Sequence, residues 1–451
     1  MDGFFSRRRG AFKATLTVIA NPNATITATG TLATYTATAN ANGVASFLLK
    51  KKGVYTLSTN NTGTYDAENN TASVSCLKTG QSYSGQIVKI NIPSSLSVGN
   101  YSSGALTGYF TRPSANWTGV EMRYTSGTTA PASRTAGSNV GTGAGNSIAL
   151  TTTNVNGYTK TGLTANTNYA FAIFSYLTIN GVNYWCATSR TATGTAANYV
   201  GATVTINSTQ NWTVPTGWRT VQAFLVGGGG GGGTRNYRGG GGGGYTKTTG
   251  NISVTPSQVI ACTVGAGGNG GAVAGSGNGN SGSTGGSSTF SGVTANGGGG
   301  AVWYQTTGGW QSGGSGGSGG GARSMSSDGS SLQSNGGNGG TNGGSGGSNV
   351  YNTSNAEYKG GTGQGTTTGA WGSSSNTRYS GGGGGGGHSS SHGAGSGGSW
   401  GGGSGGSSSH YDGYAGTANS GGGGGGGYYG SGHEGAGGKG GSGVILIKCV
   451  A

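Results

Sequence analysis

An uninterrupted run of seven glycines at positions 227–233 constrains the fold of this chain more than any other feature. A run of six glycines follows at 239–244, and glycine tracts recur until the apolar segment 444–450. Glycine loses more backbone freedom on folding than any other residue, and it brings no side chain to a core. Such a region is therefore either a flexible linker or an array in which backbones pack directly against one another.

The composition of residues 227–451 argues against a linker. The region holds 87 of the chain's 110 glycines, yet four tryptophans lie among them. Collagen is excluded, because a strict Gly-X-Y repeat is missing and Pro256 is the only proline there. What remains is a packed array of extended polyglycine II helices, with three residues per turn and a rise of about 3.1 Å.

Three apolar segments of this half, 221–226, 259–264 and 444–450, are typical of β-strands. Ordering a glycine backbone costs about 1–2 kcal/mol per residue. A hydrogen bond between helices returns only about 0.5–1.5 kcal/mol. Because an isolated array would be marginal, we predict that these strands form a β base that holds the glycine helices in register.

The first half has a different pattern, in which short apolar segments alternate with turn signals at intervals of about 8–12 residues. This predicts two small β-sandwich domains, at 11–95 and 104–197, after a basic N-terminal arm at 1–10. The expected fold class is all-β, with the two sandwiches followed by a glycine-rich domain of polyglycine II helices on a β base over 203–451.

Both sandwich segments resemble known modules. Residues 42–57 resemble the small PEGA-type or carboxypeptidase-regulatory-like β-sandwich. Residues 162–173, Gly-Leu-Thr-Ala-Asn-Thr-Asn-Tyr-Ala-Phe-Ala-Ile, resemble a fibronectin type III strand. That resemblance implies that the hydroxyl of Tyr169 bonds to the backbone of the preceding loop. Such modules usually serve as spacers in bacterial and phage proteins.

The glycine-rich half resembles the glycine-rich domain of phage tail-fibre and adhesin proteins. In the adhesins of T-even-like phages, glycine helices form a sandwich, and loops at its end bind host receptors. The resemblance implies a bacteriophage virion protein that serves in host attachment, although two sandwiches precede the domain here. It is carried by Trp-x-Val-Pro at 212–215, the strand 224–226 that runs into glycine, and the segments 264–268, 288–292 and 443–447.

Catalytic and metal sites are not expected. The eight acidic residues are scattered, and only Asp66 and Glu68 are near neighbours, whereas glycan hydrolysis requires two convergent carboxylates. His388 and His392 have the spacing of zinc ligands on a helix, but glycine and serine surround them. We therefore predict a non-enzymatic protein without a metal or other cofactor.

The formal charge of +15 favours anionic partners such as teichoic acid or lipopolysaccharide phosphates. The alternative explanation is that the chain is basic only because it contains few acidic residues, and not because it binds an anionic partner. The basic clusters 7–9 and 50–52 are too short for a typical nucleic-acid patch. No apolar stretch approaches the roughly 18 residues of a membrane span. We expect no binding to nucleic acid and no membrane insertion.

The four cysteines form no CxxC pair, and their apolar contexts predict buried free thiols. Residues 12–20 alternate like a strand and do not resemble a signal peptide. These features suit a virion protein that is made in the host cytoplasm.

The order of the segments predicts which loops lie at the apex, the end of the array opposite the β base. Strand 221–226 leaves the base, so run 227–233 points outward and run 239–244 returns. The loop between them places Arg235, Tyr237 and Arg238 at the apex. The remaining apex candidates follow runs 421–427 and 297–300, and they are Tyr428, Tyr429, His433, Trp303, Tyr304 and Trp310.

Between about 322 and 420 the direction of the runs cannot be followed. Five aromatic residues of this segment are therefore unassigned, namely Tyr351, Trp371, Tyr379, Tyr411 and Tyr414.

Two functions stay open. The first is a receptor-binding protein at a tail fibre or baseplate that contacts a bacterial polysaccharide or outer protein. The second is a structural protein of the virion, such as a head fibre or capsid decoration, without receptor binding. In either case we expect the N-terminal region to contact other virion proteins, and homo-oligomer formation is left open.

Overall fold

The structure is a computed structural model in which β-strands and extended glycine segments form two compact units, Met1–Asn198 and Tyr199–Ala451. The residues that it describes contain no α-helix, and the expected all-β fold class is confirmed. These residues are 11–150, 153–273, 275, 279–302, 304–306, 309–311, 313–323, 334–335, 338–339, 345, 369–373, 375–388, 393–430 and 432–450.

The first unit consists of strands joined by short turns. The strands are β1 (Ala14–Ala20), β2 (Thr25–Thr29), β3 (Thr34–Thr38), β4 (Val44–Leu49), β5 (Gly53–Thr59), β6 (Tyr65–Asp66), β7 (Ser73–Cys76), β8 (Ser82–Ile87), β9 (Lys89–Ile90), β10 (Leu96–Ser102), β11 (Ala105–Phe110), β12 (Gly119–Ser126), β13 (Ser138–Gly143), β14 (Asn146–Leu150), β15 (Thr153–Lys160), β16 (Asn168–Ile179) and β17 (Val182–Thr195).

The first sandwich of this unit packs a sheet of order β4-β1-β8 against one of order β3-β2-β5-β7. Strand β1 is antiparallel to β4 and parallel to β8. Alternate residues of β1, such as Leu16 and Val18, are buried, because successive side chains of a strand point to opposite faces. They form a core with Ile26, Leu49 and Tyr55.

The second sandwich packs a sheet of order β10-β11-β15-β14 against one of order β13-β12-β16-β17. Leu106, Met122 and Phe171 lie in the core between them. The hydroxyl of the buried Tyr169 accepts a hydrogen bond from the backbone N–H of Thr164 at 3.0 Å. The hydrogen bond that the sequence predicted for Tyr169 is therefore present.

The second unit begins with strands and continues as glycine runs. One turn of 3-10 helix, Arg235–Tyr237, follows the first glycine run, and a second one covers Ala370–Gly372. The strands are β18 (Thr203–Ile206), β19 (Gln210–Thr213), β20 (Thr220–Val226), β21 (Thr246–Thr248), β22 (Ile252–Ser253), β23 (Val259–Thr263), β24 (Ser288–Phe290), β25 (Val293–Ala295), β26 (Tyr304–Thr306), β27 (Gly309–Gln311), β28 (Ser334–Asn335), β29 (Tyr429–Gly430), β30 (His433–Glu434) and β31 (Val444–Cys449).

Two sheets form the predicted β base. One has the order β18-β31-β20-β21, with β22 also paired to β20, and the other has the order β19-β23-β24-β25. Trp212, Trp218, Phe290 and Ile445 are buried in one core cluster of this base. The three apolar segments expected to build the base are β20, β23 and β31.

The glycine runs are extended helices with three residues per turn, as their hydrogen bonds show. In run 227–233, N–H groups that are three residues apart donate to the same neighbouring segment, with N···O distances of 2.8–3.1 Å. The three acceptors are the segments 239–245, 283–286 and 438–441. Its carbonyls accept hydrogen bonds from the segments 268–271, 298–301 and 424–427. Run 227–233 therefore has six neighbours, as the centre of a hexagonal array does.

The centre of this array has no room for a side chain. A Cβ at any position of run 227–233 would overlap a neighbouring carbonyl oxygen, which at Gly230 is that of Gly299. The predicted packing of backbone against backbone is therefore confirmed.

The outer run 265–272 carries side chains on one line only. In run 265–272 the residues other than glycine recur every third position, as Ala266, Asn269 and Ala272, and all three are exposed. The glycines between them face the array, because a Cβ at Gly268 would overlap the carbonyl of Ser283. Since the helix has three residues per turn, the three side chains point the same way, out of the array.

Candidate functional site

Two parallel glycine runs position the apex loops. Run 421–427 lies beside run 227–233 in the same direction, with Gly424 N–H donating to Gly230 and Gly427 N–H to Gly233 at 2.9 Å. The first of these runs ends in the β29–β30 hairpin, and the second ends in the turn Arg235–Tyr237. Both loops therefore lie at the end opposite the base, as the sequence predicted.

Arg235, Arg238, Tyr429 and Glu434 form the centre of the apex. Nε of Arg235 lies 3.0 Å from Oε2 of Glu434. The guanidinium of Arg235 lies 5.0 Å from the ring centre of Tyr429, and that of Arg238 lies 5.5 Å from the same centre. Both distances suit cation–π interactions, so one tyrosine ring holds two cations from a separate loop.

Two of the predicted apex residues are buried. Arg238 is 3% exposed and Tyr428 is 2% exposed. Arg238 lies beneath the apex because run 381–387 packs over its backbone, with Gly386 N–H donating to the Arg238 carbonyl at 2.7 Å. Burial, together with the charge of Arg323, lowers the pKa of Arg238 to about 9. The sequence therefore placed these residues at the correct end without showing that they are buried.

An exposed aromatic line crosses the side of the apex. The rings of Tyr411 and His433 stack at 4.6 Å with an interplanar angle of 9°. The rings of His410 and Tyr414 also stack at 4.6 Å. Tyr411 is 38% exposed and Tyr414 is 51% exposed. We call these four residues the aromatic line.

Sequence reasoning missed Tyr411, Tyr414 and His410, which lie in the segment whose direction it could not follow. The structure gives that direction. Run 402–406 points outward beside run 381–387, and run 411–417 returns toward the base. His388, at the outer end of run 381–387, was also missed, and its ring lies 6.2 Å from that of Tyr429.

The other aromatic candidates lie outside the aromatic line. Tyr379 packs at the base, 5.5 Å from Phe224, and Lys448 Nζ lies 4.7 Å from the ring of Trp371. Tyr304 and Trp310 belong to the β26–β27 hairpin that follows outward run 297–300. The described residues do not include Trp303, Tyr351 and His392. Tyr237 is half-buried in the turn beside Arg238.

Four further observations describe the chemistry of the chain. No group of three His, Cys, Asp or Glu side chains in the described residues could hold a metal ion. The part of the chain that the structure describes has no helix long and apolar enough to cross a bilayer. The four cysteines are free and buried, as predicted. Burial raises the pKa of the Cys76, Cys186 and Cys262 thiols.

The profile of a protein family described as "Glycine-rich domain" matches residues 203–450, more than half of the chain. No curated protein matches the sequence. One similar solved structure is a putative carbohydrate binding protein from Bacteroides uniformis, with 10% identity and a TM-score of 0.17, over 40% of this chain and 98% of that one. Two DUF3823 family proteins are also similar. The Bacteroides ovatus protein has 14% identity and a TM-score of 0.16, over 40% of this chain and 98% of its own. The Parabacteroides merdae protein has 12% identity and a TM-score of 0.16, over 39% of this chain and 97% of its own.

Proposed function

Because the chain belongs to the glycine-rich domain family, we propose that it is a bacteriophage fibre or adhesin protein that binds the host surface through its apex. The observation that carries the proposal is the aromatic line, Tyr411, His433, His410 and Tyr414, exposed at the end of an array that has almost no side chains of its own.

The packing of the array separates scaffold from recognition surface. Backbone hydrogen bonds occupy the interior, so bulky side chains are confined to loops and to outer lines. Aromatic residues provide large contact areas with few rotatable bonds, and they are enriched in binding hot spots. The loops of the aromatic line end on ordered runs, which lowers the entropy lost when a receptor binds.

The alternative function is a structural or decoration protein of the virion that binds no receptor. Arg238 and Tyr428 are buried, which favours a structural role for these two residues, because their side chains lie between loops of the apex. The aromatic line differs, because Tyr414 is 51% exposed and His410 and His433 are exposed, although the Tyr411 ring also packs 5.6 Å from that of Tyr428. Contacts of the first unit with other virion proteins fit either function.

Adsorption of particles that carry a triple variant, Tyr411→Ala, Tyr414→Ala and His433→Ala, tests the proposal. We expect adsorption to host cells to fall at least about tenfold, since each ring is a candidate hot spot. Trp400→Ala is the matched control, because Trp400 is 39% exposed and follows a run that returns to the base. Undiminished adsorption by a correctly folded triple variant would contradict receptor binding and leave the structural role.

A further inference from the structure

A cleft with a volume of about 590 Å³ lies in the first unit, where the end of β5, the loop 66–72 and strand β17 meet. Its inner part is apolar, since the buried residues Leu57 and Ile87 line it. Its rim is open to solvent, because Asp66 and Ala187 are exposed. Sites for small ligands usually have volumes of about 300–1,000 Å³. The size and the opening of this cleft therefore suit a small ligand.

Hydrogen bonds to strands on both sides fix the loop 66–72, which forms one wall of the cleft. The side-chain amide of Asn70 donates to the Val88 carbonyl and accepts from the Val88 N–H, both at 2.9 Å. On the other side, the Glu68 N–H donates to the Trp185 carbonyl of β17 at 2.6 Å. This wall is therefore preorganised, which lowers the entropy lost when a ligand binds.

The charges in the cleft balance, although the chain as a whole has a formal charge of +15. Two of the eight acidic residues, Asp66 and Glu68, line it. Nζ of Lys89 lies 2.9 Å from Oδ1 of Asp66, and Nη2 of Arg134 lies 3.2 Å from Oε2 of Glu68. An anion would meet the two carboxylates, and a cation would compete with the two basic groups. A neutral ligand therefore suits the cleft better than an ion of either sign.

Hydrogen-bond acceptors are available at the rim. Lys89 and Asn70 both contact Oδ1 of Asp66. Arg134 contacts Oε2 of Glu68. Each carboxylate therefore has a second oxygen, Oδ2 or Oε1, that can accept hydrogen bonds from a ligand. The hydrogen bond from Lys89 also lowers the pKa of the Asp66 carboxyl, so Asp66 is ionised at neutral pH.

Hydrogen-bond donors line the same cleft. The hydroxyl of Thr71 accepts a hydrogen bond from the Gln86 N–H at 3.1 Å, which leaves its own proton to donate. Ser58, an exposed residue near the end of β5, adds a second hydroxyl group. Since a sugar hydroxyl both donates and accepts, a polyhydroxyl ligand can pair with both kinds of group. Its C–H groups can pack on Leu57 and Ile87.

We propose that this cleft binds a neutral sugar. The cleft lies in the first unit, whereas the aromatic line belongs to the second, so the inference does not rest on the proposed function. It gives the sandwiches a binding role beyond that of spacers. A peptide segment of another protein suits the cleft less well, because carboxylates and hydroxyls stand where apolar side chains of a peptide would need pockets.

Saturation-transfer NMR of the full chain tests the proposal, with glucose, galactose and N-acetylglucosamine as neutral probes. The triple variant Tyr411→Ala, Tyr414→Ala and His433→Ala serves as the parent protein, so that binding at the aromatic line does not contribute. We expect saturable binding of at least one neutral probe. Glucuronate and glucosamine, the charged counterparts of glucose, should bind at least about tenfold more weakly than the neutral probe, because like charges repel.

Variants of the cleft locate the binding. Ala187→Trp should abolish it, because the ring fills the rim and no hydrogen-bonding group is removed. Thr191→Trp is the matched control, since Thr191 is exposed on the same strand and lies outside the cleft. Glu68→Gln should weaken binding at least about tenfold, the usual effect of losing a hydrogen bond to a charged group. Its control is Glu121→Gln, which removes an acid that pairs with Arg123 outside the cleft.

Three results would overturn the proposal. Binding of no neutral probe would leave the cleft to a protein contact. Equal effects of the variants and their controls would place the sugar elsewhere. Equally tight binding of glucuronate would contradict a neutral ligand. If Ala187→Trp fails to fold, Glu68→Gln and its control decide the outcome. The assay contains no cells and uses the triple variant, so its result is independent of adsorption.

Discussion

The sandwiches of the first unit and the glycine array of the second use the same extended backbone in opposite ways. In the sandwiches, residues such as Leu106 and Phe171 fill the space between two sheets, and burial of apolar surface contributes about 25 cal/mol per Å². In the array that space is absent, because run 227–233 contacts six neighbours through backbone atoms alone. A sandwich is therefore sensitive to the removal of atoms, and the array is sensitive to their addition.

Gly230→Ala should give the largest effect, because it adds one carbon where the Gly299 carbonyl leaves no space. We expect a loss of more than about 4 kcal/mol, at the extreme of single substitutions. Thiol alkylation measured by mass spectrometry locates the damage, since buried thiols with raised pKa values react slowly. Cys262 should become reactive while Cys76 and Cys186 stay protected.

The matched control is Gly250→Ala, because no atom lies within 4 Å of a Cβ at that position. Its unfolding temperature should stay near that of the parent protein. Equal stability of both variants would contradict the packing described for the array.

Phe171→Ala makes the opposite change in the first unit. It removes a fully buried ring from the second sandwich and should cost about 3–5 kcal/mol, through lost burial and the cavity left behind. Chemical denaturation measures the loss of unfolding free energy. In the alkylation assay Cys186 should become reactive, while Cys262 stays protected. Leu48→Ala is the control, because Leu48 is 57% exposed. A similar loss in both variants would show that the burial of Phe171 is not decisive.

The centre of the array was predictable because all-glycine runs exclude every other packing. The outer runs also carried a signal that sequence reasoning overlooked, the recurrence of Ala266, Asn269 and Ala272 every third position. A residue other than glycine at every third position indicates a glycine helix with one solvent-exposed line of side chains. An unbroken glycine run indicates a helix that is surrounded by other helices on all sides.

The burial of Arg238 and the apex position of Tyr411 could not be predicted. Burial of Arg238 depends on run 381–387, which is distant in sequence and packs over it. A glycine helix also has no side chains that would show whether it runs toward the apex or toward the base. Its direction can be assigned only by counting the chain reversals between successive runs. That count fails between about 322 and 420, where segments without glycine, such as 350–358, interrupt the glycine tracts.

Tyr169→Phe tests a smaller, local feature of the sandwich. It removes the hydroxyl that accepts the Thr164 N–H and leaves the ring in the core. We expect a loss of about 1 kcal/mol in chemical denaturation, the usual net value of one hydrogen bond. Thr167→Ser, a nearby change that keeps a hydroxyl group, is the control and should be close to neutral. An unchanged stability of Tyr169→Phe would mean that the hydrogen bond contributes nothing measurable.

The smallest effect on stability, with a visible effect on assembly, is expected at an outer run. The exposed residues Ala266, Asn269 and Ala272 keep other backbones from the edge of the array, as charged residues protect the edge of a sheet. Changing all three to glycine should alter the unfolding free energy little but allow copies to associate edge to edge. Sedimentation at increasing concentration measures this. Asn269→Ala alone is the control, since it removes the amide and keeps Cβ. Association in the control, or a monomeric triple variant, would contradict the role assigned to these side chains.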